Sequence, residues 1–256
     1  MHLQDMDQSV IAELARTGTL RAGINMSNFL LVAGMSGTGD PDGVAPDLAR
    51  AIAERLGVTL TFKPFTKASE VAEAVATGAC DIGLIGVEPD RAETIAFTPP
   101  YALIEATYLV PAGSSLETVA DVDQPGNRIA VSANSAYDLW LTRNTKHASL
   151  LRAASIPAAR ELFLTQRLDA LAGLRPGLLS DAAELAGVRV LDEYFSVVQQ
   201  AVGTACANLE SAAFLQSFVE EAKGSGLVAR LIARHRAEGL SVPPASQPAR
   251  AAGRAR

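Results

Sequence analysis

The chain has 256 residues, 48% of them apolar, and a formal net charge of −6. That apolar fraction can build one large core or two modest ones, and the acidic balance argues against nucleic-acid or anionic-membrane binding, which needs a basic surface. Cys80 and Cys206 are too few for a disulfide framework or a zinc site and read as free thiols, Cys80 buried beside a strand.

Met1 to Arg16 reads as a short polar helix with Val10, Ile11 and Leu14 on one side. It lacks the basic start, apolar run and small-residue cleavage site of a signal peptide. The expectation is therefore a cytoplasmic protein, or a periplasmic one whose leader has been removed. No stretch reaches the roughly 18 apolar residues that span a bilayer, so membrane insertion is not expected.

Leu20 to Asn25 is a first strand, followed by a loop containing Gly34, Gly37, Gly39 and Gly43. Asp47 to Leu56 places Leu48, Ile52 and Leu56 four apart and stops at Gly57, which predicts an amphipathic helix. Val58 to Phe62 alternates as a strand, Ala68 to Ala76 is a helix stopped at Gly78, and Cys80 to Ile85 is a buried strand. This order points to a mostly parallel sheet covered by helices.

The pattern then repeats without a repeated sequence. Strands are expected at Arg128–Val131, Leu150–Ala153, Leu168–Ala172 and Val188–Leu191, and helices at Ser135–Arg143, Ala158–Arg167 and Gly177–Leu185. Val197 to Val202 is extended and apolar. Helices follow at about Leu209–Lys223 and Leu227–Arg236, and the Pro-, Ala- and Arg-rich tail from Ser241 reads as disordered. Two α/β units imply two lobes with a cleft between them, and ligands of open α/β sheets sit beyond the carboxyl ends of the strands.

Several segments carry a resemblance when taken together: Gly43 to Gly57 (GVAPDLARAIAERLG), Gly78 to Gly83 (GACDIG), Glu88 to Arg91 (EPDR) and Ile95 to Tyr101 (IAFTPPY). In order and spacing they resemble the family 3 periplasmic solute-binding proteins, the polar amino-acid binders of ABC importers. The likeness continues through Ile129–Val131, Leu139, Leu168–Ala172 and the closing helices, over roughly residues 18–236. It implies an α/β clamshell of the type 2 periplasmic-binding fold with two hinge crossovers. One lobe would hold 1–107 plus 203–240 and the other 113–196, with hinge strands at 108–112 and 197–202.

The resemblance also implies a site. Arg91 matches the arginine that pairs with the ligand carboxylate, a task suited to a guanidinium fork; the alternative is a surface arginine paired with Glu88 or Glu93. Gly86 and Val87 offer backbone groups, although relatives have about two more residues here and a carboxylate-binding hydroxyl. Asn25 falls where some relatives contact the ligand side chain, while Asn28 and Phe29 fall near a stacking aromatic. A turn role is the alternative for the two asparagines. Asn134, Ser135 and Ala136 match the loop opening a second-lobe helix, where free N–H groups bind anions or Ser135 simply caps.

Relatives commonly place an ammonium-binding aspartate where this chain has Leu174. The ligand then lacks an α-amine, its amine is held elsewhere, or the alignment slips by one. Glu105 is a candidate substitute carboxylate, and Arg175 a candidate for a second acidic group. Tyr101 either walls the cleft or packs in the core. His2, His147 and His235 show no metal spacing, no catalytic triad is evident, and no cofactor is expected.

The implied function is reversible, non-catalytic binding of a small carboxylate-bearing, amino-acid-like solute by lobe closure. The protein would act as a monomer, as a solute-binding protein serving an ABC permease if exported, or as a cytoplasmic ligand sensor. The alternative is an enzyme resembling cyclohexadienyl dehydratases, with Glu105 as its carboxylic acid; a ligand-free structural adaptor is a third reading.

Overall fold

The computed structural model describes residues 3–246. The chain opens with α1 (Leu3–Leu14), β1 (Thr19–Asn25), the short strands β2 (Gly34–Met35) and β3 (Pro41–Asp42), α2 (Val44–Leu56), β4 (Thr59–Phe65), α3 (Ala68–Ala76), β5 (Ile82–Gly86), α4 (Pro89–Ala92) and β6 (Ile95–Phe97). A long strand β7 (Ala102–Pro111) leads to α5 (Val119–Val122), β8 (Arg128–Ser132), α6 (Ala136–Asn144), β9 (Ser149–Ala153) and α7 (Ile156–Thr165). Then come β10 (Ala170–Leu174), α8 (Arg175–Glu184), β11 (Val188–Val190), a second long strand β12 (Ser196–Ala205), α9 (Leu209–Gly224) and α10 (Leu227–Arg234).

The periodicity of α2 shows why these elements form. Leu48 and Ile52 are fully buried and Leu56 nearly so, and removing such side chains from water contributes roughly 2 kcal/mol each. Gly57 ends the helix in the left-handed conformation, φ 66°, which glycine adopts without steric cost. At α1, Val10 and Leu14 are buried, and the Glu13 carboxylate accepts from the Ser211 N–H at 2.9 Å at the start of α9. The polar N-terminal helix is thus built into the first lobe.

The sheet order β4-β1-β5-β12-β7-β10-β8-β9 contains two parallel sets, β4-β1-β5 and β10-β8-β9. They are joined only through the antiparallel long strands. Gln200–Gly203 of β12 pairs with β5, while Thr107–Leu109 of β7 pairs with β10. Between them Ala102–Ala106 pairs with Ser196–Gln200. Tyr108 and Leu109, within the segment 108–112 expected as a hinge strand, pair with β10, and Leu109 also with β11.

Each lobe has its own apolar interior. One is built around Leu20, Ile24, Leu48, Ile52 and Val219; the other around Tyr108, Ile129, Val131, Leu141 and Phe195.

Several element bounds differ from expectation. The glycine loop contains the β2–β3 pair. Helix α7 begins two residues early because Ser155 caps it and Pro157 suits its first turn. The tail expected to be disordered from Ser241 is held up to Ser246. Ser241 exchanges backbone hydrogen bonds with Leu103 at 2.8 and 3.1 Å, and the Ser246 N–H donates to Glu220. The rest of that tail, 247–256, lies outside the described residues. Among the described residues no helix is long and apolar enough to cross a membrane.

Candidate functional site

The loops after the carboxyl ends of β1, β4, β5, β8 and β9 converge on a cavity of about 370 Å³. Its walls come from both lobes: Asn25, Asn28, Phe29, Lys67 and Arg91 on one side, and Ser135, Ala136, Ser155 and Leu174 on the other, with Val198 and Gln200 of β12 as the floor. The first turns of α3, α6 and α7 open onto it, through Ala68, Ala136 and Ile156. The first N–H groups of a helix lack intrahelical partners, so the cavity collects three partially positive helix ends.

Arg91 is 6% exposed. Its Nη1 donates to the Gly86 carbonyl at 2.7 Å and its Nη2 to the Asn134 carbonyl at 3.0 Å. One partner belongs to each lobe, so the guanidinium spans the cleft. Burial pulls its pKa down to about 10, opposed by the charges of Glu88 and Asp90. Neither carboxylate forms an ion pair with it; both are turned to Arg143 of α6. A buried cation hydrogen-bonded only to neutral carbonyls, with the nearby carboxylates paired elsewhere, favours an anion beside it. The alternative of a surface arginine paired with Glu88 or Glu93 does not hold.

Asn134 takes φ 59°, a left-handed conformation that asparagine tolerates best among residues with a side chain. This aims its carbonyl at Arg91, while its N–H donates to Asp138 Oδ2 at 2.8 Å. Ser135 caps α6, accepting from the Asp138 N–H at 3.1 Å, and donates to the Ser132 carbonyl at 2.8 Å. With Ser135 Oγ committed, the N–H groups of Ala136 and Tyr137 are what this loop presents. The Tyr137 hydroxyl, pushed up to about 12 by burial, stays neutral.

Asn25 accepts at its Oδ1 from Ser27 Oγ at 2.8 Å in a turn, and the residue also lines the cavity. Phe29 is half exposed and faces α8 across the cleft, where a methyl group added to Gly177 would sit 3.0 Å from its Cζ.

Three expected site residues are elsewhere. Val87 does not line the cavity, and its N–H is taken by the Gln199 carbonyl at 2.8 Å. Glu105 and Arg175 pair with each other at 2.5 Å, and Arg175 also donates to the Leu191 and Asp192 carbonyls at 2.9 and 2.8 Å. Both are spent on fixing the start of α8. They do not face the cavity because β10 ends at Leu174, which turns Leu174 inward and the next residue out. Tyr101 packs in the first lobe's core and does not wall the cleft.

Sequence reasoning missed Lys67, Ser155 and Gln200. Lys67 and Ser155 follow the carboxyl ends of β4 and β9, so the rule that ligands sit there was the available signal. Gln200 had none, because a hinge strand reads as apolar. Asp42, Asp47 and His235 also come together, with ligand-type atoms within 4.8 Å of one another. Arg50 and Arg234 crowd Asp47 at 2.6 and 3.4 Å, so this is an ion-pair cluster joining α10 to α2. Cys80 is buried, and burial pushes its thiol up to about 11.

Two lobes, a double crossover and an interlobe cavity lined by helix starts define a clamshell solute-binding protein. The chain belongs to the bacterial extracellular solute-binding proteins, family 3, whose model matches residues 20–238. It is similar in structure to a mutant of ArgBP from T. maritima, with TM-score 0.73 and 21% identity over 90% of this chain and 100% of that one. It is also similar to the ancestral amino acid-binding protein AncCDT-1, a precursor of cyclohexadienyl dehydratase, with TM-score 0.71 and 23% identity over 88% and 98%. A third is an amino acid ABC transporter substrate-binding protein from Streptococcus pneumoniae bound to L-arginine, with TM-score 0.72 and 20% identity over 92% and 99%. In sequence, 137 residues (51% of the chain) are 28% identical to membrane-bound lytic murein transglycosylase F of Maricaulis maris, covering only 29% of that protein. Apart from the transglycosylase, these relatives are binding proteins or a binding precursor of an enzyme.

Proposed function

We propose that the protein reversibly binds a small carboxylate-bearing, amino-acid-like solute between its lobes and does not transform it. The observation that carries this is Arg91: a buried guanidinium on the cavity wall with no ion-pair partner among the described residues, beside three helix starts. A ligand touching both walls stabilises the closed form by its differential affinity, and closure is then the readable signal. One lobe consists of the chain before β7 and after β12, the other of the segment between. They hinge where Ala102–Ala106 pairs with Ser196–Gln200.

In an exported protein the closed form is the species that docks on an ABC permease. In a cytoplasmic one, closure reports the ligand. The dehydratase reading has less support: Glu105 is tied to Arg175, and among the described residues no carboxylic acid lines the cavity to protonate a leaving hydroxyl.

Native mass spectrometry of protein purified from its source tests the reading. The expected result is a retained small acid. Retention of a molecule without a carboxylate or other anionic group overturns it.

A further inference from the structure

The cavity has a charge balance that narrows the ligand further, granted the binding reading above. Its two charged linings are Arg91 and Lys67, and no Asp or Glu lines it among the described residues. The neighbouring carboxylates are already engaged: Glu88 with Arg143, Asp138 with Arg152, and Glu70 with the backbone N–H of Lys67. Leu174, at the end of β10, adds an apolar stretch to the same wall.

A second observation is independent of charge. Asn28 and Gln200 line the cavity at 8% and 3% exposure, and neither side-chain oxygen has a hydrogen-bond partner among the described residues. Buried amides are normally satisfied. Both open atoms are acceptor oxygens, so they mark where a ligand group donates; with no carboxylate lining the cavity to offset a positive charge, an uncharged hydroxyl fits them, and an oxo group, which only accepts, does not.

We infer that the ligand is a small hydroxy acid without an ammonium group, and not a zwitterionic or cationic amino acid. Its carboxylate lies against Arg91 and the start of α6. Its hydroxyl donates to the side-chain oxygen of Asn28 or Gln200. A desolvated ammonium placed in the same cavity would face two cations and three positive helix ends with no carboxylate on the cavity wall to offset them.

Calorimetry with matched pairs tests this: 2-hydroxyglutarate against L-glutamate, and 2-hydroxy-4-methylpentanoate against L-leucine, with L-arginine as the cationic member. In at least one pair the hydroxy acid is expected to bind about ten-fold or more tightly than its amino partner, and L-arginine not to bind. The Leu174→Asp variant is expected to shift the preference of that pair toward the amino acid. Equal or tighter binding of the amino member, or binding of L-arginine, overturns the inference. If Arg91→Ala still abolishes that binding, the carboxylate reading stands. Binding of neither member of either pair counts against the inference. If the primary amide of a hydroxy acid binds as well as the acid itself, the carboxylate reading fails with it.

Discussion

Glu88 is ion-paired across the cleft with Arg143 of α6, so the short segment that carries Arg91 is tied to the opposite lobe by a second charged contact. The Glu88 side chain is 8% exposed and that of Arg143 33%. Burial raises the Glu88 pKa, with Arg143 opposing. The two ends of this bridge are therefore unequal.

Arg143→Ala leaves a buried carboxylate uncompensated and is expected to disfavour closure by roughly 2 kcal/mol. Glu88→Gln leaves a guanidinium that water can reach and should cost about half as much. Small-angle scattering of the two variants with saturating ligand would show the order. A larger opening in Glu88→Gln would refute the asymmetry.

Arg91→Ala should weaken carboxylate binding by about 3 kcal/mol, roughly a hundred-fold, without unfolding the protein. Arg91→Lys should recover only part of this, because an ammonium cannot span the Gly86 and Asn134 carbonyls as the planar fork does. Unchanged affinity in calorimetry would remove Arg91 from the site.

Gly86→Ala tests the fit of the closed lobes. A Cβ there would lie 3.0 Å from Val198 Cγ1 on β12 and 3.1 Å from Ala136 Cβ at the start of α6. The Ala136 contact falls between the lobes, so the open form escapes it, while the Val198 contact belongs to the β5–β12 pairing and remains. The expected result is affinity lower by about ten-fold with a proportionally smaller loss of stability in the unliganded protein. An equal loss in both measurements would place the strain within one lobe.

Asp47 sets a pH dependence away from the cleft. Burial pushes its carboxyl up, but hydrogen bonds from His235 and Arg50 outweigh this and hold it below its ordinary 3.8. The unfolded chain therefore takes up this proton first as the medium is acidified. The stability Asp47 contributes is present above pH 3.8 and is lost as the pH falls through its lowered folded value. Asp47→Asn should cost roughly 2 kcal/mol at neutral pH and progressively less in acid. Urea midpoints that differ equally from pH 7 down to pH 3 would refute it.

The helix-and-strand order was legible because its signals are local. Leu48, Ile52 and Leu56 recur at helical spacing whatever surrounds them, and Gly57 stops the helix by its own conformational freedom. Motif order singled out Arg91, Asn134 and Ser135, and all three line the interlobe cavity. The roles of Glu105 and Arg175 were not. Each has the right chemistry at a plausible sequence position, but the point where β10 ends turns Leu174 toward the cavity and commits Arg175 to Glu105.

The sequence by itself determined two α/β halves and a guanidinium that belongs to the interlobe cavity wall, because side-chain period and short motifs depend on neighbours along the chain. Only the tertiary structure decided which charges reach the interlobe space. That selection depends on contacts such as Glu88 with Arg143 and Glu105 with Arg175, 55 and 70 residues apart, which remove carboxylates from the cavity and leave its wall positive.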